Sequence, residues 1–308
     1  MRRGQSEDQE ERYCVRVAAM TLKSTYGLVG YPLGHSLSPV MHNAAFKALE
    51  VDAEYCLFPM KQEELGAFFN ALKEKDSHIF GLNVTVPHKE AVIPFLDAVD
   101  GFAQKAGAVN TVVIDAARRL KGYNTDGPGF LAHLTEEGFD PSGKRVSILG
   151  AGGAARAVVA SLCLIDTRPA SILIYDIDPR RVNALVRDLG ARIDVGCVKV
   201  VGTIDELNIE LADLLINATP IGMNNSDPCL VNEELLHSHL MVYDLVYNPS
   251  ETKLLKLAKS KGAKTVNGLK MLFYQGVLAF QHWAEIQLSE PLKKKMWDEL
   301  YKACYTKS

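Results

Sequence analysis

From Thr25 onward the chain alternates short apolar runs with stretches whose apolar positions recur at helical spacing. Runs at 25–29, 54–58 and 79–84 predict strands, and the segments 39–50 and 61–75 between them predict helices. That strand–helix–strand rhythm predicts a parallel sheet with helices on its faces. A hairpin-like pair, 108–114 and 119–123, comes next. A second series then begins: a strand at 145–149, a helix from Gly152, a strand at 171–176, a helix from Pro179, and strands at 198–201, 214–217 and 241–245. These strands are nearly continuous apolar runs, as in sheets covered on both faces. The last part predicts helices over 268–287 and 291–305. The pattern therefore predicts two α/β domains, with the chain crossing into the second near Asp126 and returning near Gly268.

Composition narrows the class. At 308 residues, 47% hydrophobic and 23% charged, the chain has the make-up of an ordinary globular protein with ample interior. Its 34 basic and 37 acidic side chains balance to a net charge of −3, which argues against nucleic acid or anionic lipid as a partner. No apolar run approaches the roughly 18 residues of a membrane span. Cys14, Cys56, Cys163, Cys197, Cys229 and Cys304 are scattered singly, without zinc-ligand spacing; they predict free thiols in a reducing cytoplasm and no metal site. The first twenty residues are polar and charge-dense, lack the apolar segment of a signal peptide, and read as an extension, with Met20 near the start of the fold.

The strand at 145–149 runs into Gly150-Ala151-Gly152-Gly153-Ala154-Ala155 and then a helix. This is the dinucleotide fingerprint: Gly150 permits a tight turn, Gly152 admits a pyrophosphate to the backbone, and Ala155 lets helix and strand pack closely. Free N–H groups at the helix start would face the phosphates. The next strand ends in Asp176, where the fingerprint expects an acid that accepts from the ribose hydroxyls. A carboxylate there repels a 2′-phosphate, so the sequence predicts NAD as the favoured cofactor, with NADP less favoured. Asp178, before Pro179, reads as a helix N-cap, and Arg180 and Arg181 could moderate the discrimination by taking a phosphate.

Other polar residues stand where a core would not choose them. Ser36 and Ser38 follow the first strand; Ser38 before Pro39 suits an N-cap, which leaves Ser36 unexplained and points to an anion such as a carboxylate. Asn83 and Thr85 alternate with valines at the end of a buried strand, and Pro87 stops it just ahead of Lys89. Asn110-Thr111 and Asn124-Thr125-Asp126 bring further Asn-Thr pairs to neighbouring strand ends. Ligands of α/β sheets sit outside the carboxyl ends of the strands, so these clusters suit a small polyhydroxylated molecule. His35 and His88 sit inside motifs but lack a nearby nucleophile or metal spacing and read as structural or rim residues, while His42 and His282 fall on predicted helices and read as ordinary helical residues.

With these residues in place the chain resembles the shikimate dehydrogenase family, including its quinate/shikimate branch. The likeness runs from about Thr25 to Trp283 through GYPLGHSLSP, NVTVPHK, GAVNT, GYNTD, GAGGAAR, NATPIGM, DLVYNPSET and GLKMLFYQ, in that order. It implies a substrate-binding domain over 1–125, completed by helices at 269–308, and a Rossmann-type doubly wound dinucleotide-binding domain over 126–268. It implies that Ser36 and Ser38 hold a substrate carboxylate, that Asn83, Thr85, Lys89, Asn110, Asp126 and Gln275 surround ring hydroxyls, and that Tyr247 closes the pocket. Thr219, Met223, Val246, Gly268 and Met271 would line the cofactor. Members that use NADP typically carry Asn-Arg-Thr after the second strand of the cofactor domain; Tyr175-Asp176-Ile177 departs from this, which leans toward NAD.

The implied reaction is reversible oxidation of a secondary ring alcohol, shikimate to 3-dehydroshikimate and quinate to 3-dehydroquinate, with Lys89 and Asp126 handling the hydroxyl proton. Burial and a neighbouring carboxylate push a lysine in opposite directions, so the sequence leaves open whether Lys89 acts as a base or as a fixed charge. It also leaves a homodimer open. A non-catalytic sensor would be expected to have lost Lys89 or Asp126, and a related amino-acid or folate dehydrogenase would leave the serines and Asn-Thr clusters unexplained.

Overall fold

In the computed structural model the described residues are Glu10, 23–34 and 36–306. The expected start at Met20, Cys14 and His35 lie outside them. The first apolar runs form β1 (Ser24–Gly30), β2 (Ala53–Pro59) and β3 (Ile79–Val84), with both β2 and β3 parallel to β1. The sheet is mixed rather than wholly parallel. β5 (Thr111–Ile114) is antiparallel to β3 and to β6 (Leu120–Tyr123), while the short β4 (Ala98–Val99) pairs parallel to β6, giving the order β2-β1-β3-β5-β6-β4. Strands joined by so short a turn as 115–119 can only pair antiparallel. β4 and the helix Gly101–Ala106 are too short to leave a periodic signal. The helix expected over 61–75 is divided into a 3₁₀ turn, Gln62–Glu64, and a helix Leu65–Ala71 that buries Leu65 and Phe69.

One face of this sheet packs Val29, Leu82, Val84 and Val112 against Leu65 and Phe69. Tyr26, Phe46, His42, Tyr55 and Trp283 form an aromatic cluster. Gly81 is required here, because a Cβ would stand 2.4 Å from the Trp283 ring. The indole then lies close enough to donate to the Val112 carbonyl at 3.0 Å.

The second sheet is wholly parallel. β7 (Arg145–Leu149) lies in mid-sheet, with β8 (Ser171–Tyr175) and β9 (Val198–Val200) on one side and β10 (Leu214–Asn217), β11 (Met241–Asp244) and β12 (Lys264–Asn267) on the other. Strand order reverses between β7 and β10, the switch point at which a doubly wound sheet leaves room for a ligand beyond its strand ends. Contacts divide the chain into two units. One runs to Gln104 and includes Ala108–Thr125 and the stretch from Phe273; the other comprises Lys105–Gly107 and Asp126–Leu272. The helix Leu269–Ala284 begins in the second unit and passes into the first at Phe273.

Two interior histidines set a pH limit on stability. His42 is wholly buried against Tyr55, with both ring nitrogens unpartnered, and burial pushes it down to about 3. His133 is pushed down to about 4, chiefly by burial, with Glu137 and Glu136 opposing and Lys270 adding to the shift; its Nδ1 lies 2.6 Å from the Tyr243 hydroxyl. Both stay neutral in the folded chain and protonate near 6.5 when unfolded, so their contribution is complete above that pH and is lost as pH falls toward the folded values. Each should cost about 1.4 kcal/mol per pH unit below about 6.5. Urea unfolding at about pH 7 and about pH 5 should show that loss, above the range where ordinary carboxylates titrate. Equal stability at both would exclude it.

Candidate active site

The carboxyl ends of β1 and β3 approach closely in the first unit. Tyr31 N–H donates to the Val86 carbonyl at 3.0 Å, and a Cβ at Gly30 would meet the Thr85 methyl at 2.4 Å. Ser38 is not the N-cap that Pro39 suggested. The cap position is Leu37, whose side chain has nothing to offer, and Ser38 is the first helical residue. Ser36 supplies the local contact instead, its Oγ accepting from Ser38 N–H at 3.3 Å. The Ser38 side chain is buried and hydrogen-bonds the Tyr55 hydroxyl.

Four of the expected substrate residues come together. Asn83 Nδ2 donates to the Asn110 carbonyl at 3.2 Å and to Thr111 Oγ1 at 3.1 Å, and its Oδ1 accepts from Tyr55 at 2.8 Å. Asn110 Oδ1 accepts from Thr125 N–H at 2.7 Å, and its Nδ2 donates to Thr125 Oγ1 at 3.0 Å and Gln275 Oε1 at 3.4 Å. Ser38, Asn83, Asn110 and Gln275 thus belong to one buried network. Thr85 and Lys89 lie half-buried in the turn after β3. The Lys89 carbonyl accepts from Val109 N–H at 2.8 Å, and the neighbouring His88 ring sits 2.6 Å from the Met60 carbonyl, so the root of Lys89 is held on both sides. Asp126 follows Thr125 directly, is buried, and opens the helix Asp126–Glu136 of the second unit.

In the second unit Gly150 turns at φ +97, where a Cβ would meet the Ala218 carbonyl at 2.9 Å, so only glycine fits. Gly152 precedes the helix Gly153–Leu164, whose N-terminus has no side-chain cap. The N–H groups of its first turn, those of Gly153 and Ala154 among them, have no carbonyl of the helix's own to bond, the feature that lets a helix start receive a phosphate. A Cβ on Gly152 would find only the Arg181 guanidinium, at 3.6 Å. Asp178 caps its helix through Arg180 N–H at 3.0 Å, and the Arg180 side chain turns back onto the same carboxylate.

Sequence reasoning missed the residues that hold the segments around Thr219 and Val246, which the resemblance had assigned to the cofactor. Asn217, closing β10, accepts from the Thr219 hydroxyl at 2.7 Å and donates to Asp244 at 2.9 Å and to the Ile221 carbonyl at 3.0 Å. Asp244, closing β11, is fully buried and also accepts from Val246 N–H at 3.0 Å and the Thr252 hydroxyl at 2.7 Å. Burial pushes its carboxyl above the ordinary value, against those donors. A polar residue ending an apolar strand was the available signal, the same one that drew attention to Asp176. The Val246 carbonyl accepts from Gly268 N–H at 3.3 Å, and at Gly268 a Cβ would collide with Leu245. Met271 is buried, Tyr247 half-buried and Met223 half exposed. Among the described residues no group of three or more His, Cys, Asp or Glu side chains could hold a metal ion, and no helix is long and apolar enough to cross a membrane.

The profile of the shikimate dehydrogenase substrate binding domain matches residues 28–112. The shikimate dehydrogenase (NADP(+)) of Moorella thermoacetica is 46% identical over 268 residues, covering 85% of this chain and 89% of that protein. A crystal structure of shikimate dehydrogenase in complex with NADP+ superposes with a TM-score of 0.82 at 38% identity, covering 92% of this chain and 96% of the other. The shikimate 5-dehydrogenase of Thermus thermophilus, in complex with NADP(H) and shikimate, gives 0.75 at 35% identity, covering 91% and 99%.

These relatives correct the expectation that NAD is favoured over NADP, since they are named for NADP(+) or hold it bound. The geometry supplies a reason. Asp176 is buried, with one oxygen accepting from Ala151 N–H at 2.7 Å and the other from Asp178 N–H at 2.9 Å. Its charge is turned onto the backbone of the glycine loop, while the Arg181 guanidinium stands beside that loop.

Proposed function

Because the chain belongs to the shikimate dehydrogenase family, we propose that it catalyses the reversible NADP-dependent oxidation of shikimate to 3-dehydroshikimate, and on the same site quinate to 3-dehydroquinate. The observation that carries this reading is the network of Asn83, Thr111, Asn110, Thr125 and Gln275, five uncharged polar side chains gathered from four separate segments. A core gains nothing from such a collection, whereas a ring bearing several hydroxyls needs alternating donors and acceptors. Ser36 and Ser38 would take the carboxylate.

Gly150, Ala151, Gly152, Gly153 and Ala154 would hold the pyrophosphate, Arg181 the 2′-phosphate, and Thr219, Met223, Val246, Gly268 and Met271 the remainder of the cofactor. When bound, the nicotinamide supplies the hydride chemistry. The protein's part is to fix the ring and manage one proton. Lys89 is tied through its carbonyl to Val109, and Thr125 is tied to Asn110, the next residue along. We assign the hydroxyl proton to Lys89 and to Asp126, which follows Thr125 in the chain. Lys89 stabilises the alkoxide as it forms and Asp126 relays the proton away. The unlinked thiols of Cys56, Cys163, Cys197, Cys229 and Cys304 suit a reducing compartment, and we assign the reaction to the cytoplasm.

Initial rates with shikimate and with quinate, each with NADP+ and NAD+, test the reading. Shikimate with NADP+ should give a kcat/KM about ten- to a hundredfold above shikimate with NAD+, the worth of one charge-assisted contact. Arg181→Ala should close most of that gap. Turnover of neither substrate would exclude the reading, and equal efficiency with NAD+ would exclude the role of Arg181.

A further inference from the structure

Two cysteines far apart in sequence meet in the second unit. Cys163, next to last in the helix Gly153–Leu164, is buried, and its sulfur lies 3.9 Å from that of Cys197. Cys197 leads into β9 and is only half-buried. Its backbone is fixed on both sides. The Cys197 carbonyl accepts from Ile172 N–H on β8 at 2.7 Å, and just before it Gly196 N–H donates to the Asp194 carboxylate at 2.8 Å. A disulfide holds its sulfurs about 2.05 Å apart, so about 2 Å of approach separates the resting pair from a bond, within reach of rotation about the two Cα–Cβ bonds.

The two sulfurs differ in their surroundings. Burial, and then Cys197 beside it, push the Cys163 thiol well up, with Arg168 opposing and Asp194 adding to the shift, so Cys163 keeps its proton. Arg168 pairs with Asp194 at 2.6 Å, joining the segment after Cys163 to the segment before Cys197, and its guanidinium also interacts with Cys197. A partly exposed sulfur beside a guanidinium is the setting in which a thiolate forms and reacts.

We propose that Cys163 and Cys197 form a peroxide-reactive pair: Cys197, its thiolate favoured by Arg168, is oxidised by a hydroperoxide such as hydrogen peroxide, and Cys163 captures the product as a reversible disulfide. In the first step the Cys197 thiolate attacks one peroxide oxygen. An S–O bond forms, the O–O bond breaks, and the displaced hydroxide is neutralised by the proton that Cys197 gave up. In the second step the Cys163 sulfur attacks the sulfenic sulfur of Cys197. The S–S bond forms, the S–O bond breaks, and hydroxide leaves with the Cys163 proton as a second water. Two thiols lose two electrons and one peroxide gains them. Capture matters because a sulfenic acid that meets more peroxide passes on to sulfinic acid, which small thiols do not reverse. The sulfurs stand at the far end of the helix from the glycine loop, so the bond forms away from the segment assigned to the pyrophosphate.

Peptide mapping of the full chain tests the proposal, with a readout that does not depend on turnover of shikimate. Reduced protein is treated with a few equivalents of hydrogen peroxide, alkylated and digested. Wild type should yield the peptides containing Cys163 and Cys197 as one crosslinked species, about 2 Da lighter than their sum, and dithiothreitol should restore both thiols. Cys163→Ala should instead accumulate Cys197 with two added oxygens, about 32 Da heavier, at a level about tenfold above wild type and beyond recovery by dithiothreitol. No crosslink between these two peptides in wild type, a crosslink from Cys197 to some other cysteine, or equal sulfinic acid in both proteins would overturn the proposal. Should Cys163→Ala fold poorly, Arg168→Gln removes only an exposed ion pair and should slow crosslinking about threefold or more. An unchanged rate in that variant would overturn it equally.

Discussion

Lys89→Ala should lower kcat for shikimate oxidation by roughly 10²–10⁴, the usual worth of a positioned acid–base group. The size follows from how firmly the side chain is rooted. The Lys89 carbonyl is bonded to Val109 N–H, His88 beside it is buried against the Met60 carbonyl, and Asn110, next after Val109, is the hub of the polar network. A charge on so fixed a base can stabilise an alkoxide as it forms without first being ordered. The same variant should keep its thermal midpoint, since the lost side chain is only half-buried and its carbonyl contact survives. Lys89→Arg preserves the charge but not the compact ammonium, and should recover only part of the activity. A defect confined to KM would make Lys89 a binding residue and remove the proton pathway from this account.

Asp244→Ala should destabilise the folded chain by roughly 3–5 kcal/mol, since each buried donor left unsatisfied costs about 1–3 kcal/mol. Three donors converge on this carboxylate, from Asn217, Val246 and Thr252, and all would be left in a site that water does not reach. The damage would spread along the strand ends. Asn217 orients Thr219, and Thr252 caps the helix Lys253–Ser260 through Leu255 N–H. Affinity for NADP+ should therefore fall together with stability, although Asp244 is assigned no contact with the cofactor. Asp244→Asn keeps the shape but exchanges one acceptor for a donor, and should fall between alanine and wild type. Urea unfolding checks the order. A midpoint for the alanine variant equal to that of wild type would show that the network carries no weight.

Much of this was legible in the residues. Strand runs closed by glycine or by a polar residue placed the glycine loop and the clusters around Asn83 and Asn110, because backbone chemistry is local. What escaped depends on partners far apart in the chain. Nothing near Asp176 shows that the Ala151 and Asp178 amides will occupy its oxygens, so in the sequence its charge looks free to repel a phosphate. Nothing near Ser38 names Tyr55, and a serine before a proline suits a cap well enough to hide the distant bond. Cys163 and Cys197 look isolated in sequence, yet their sulfurs lie 3.9 Å apart. His42 looks like an ordinary helical residue in the sequence, yet it is sealed beneath the ring of Tyr55. Apolar periodicity says which side faces inward, but not which polar group will be waiting there.

Shikimate deuterated at the carbon bearing the 3-hydroxyl gives the most direct test of hydride transfer by this chain. Turnover with NADP+ should slow by a normal primary isotope effect, and the deuterium should be recovered in the reduced nicotinamide ring. NADPH formed without the label, or no NADPH at all, would contradict the account.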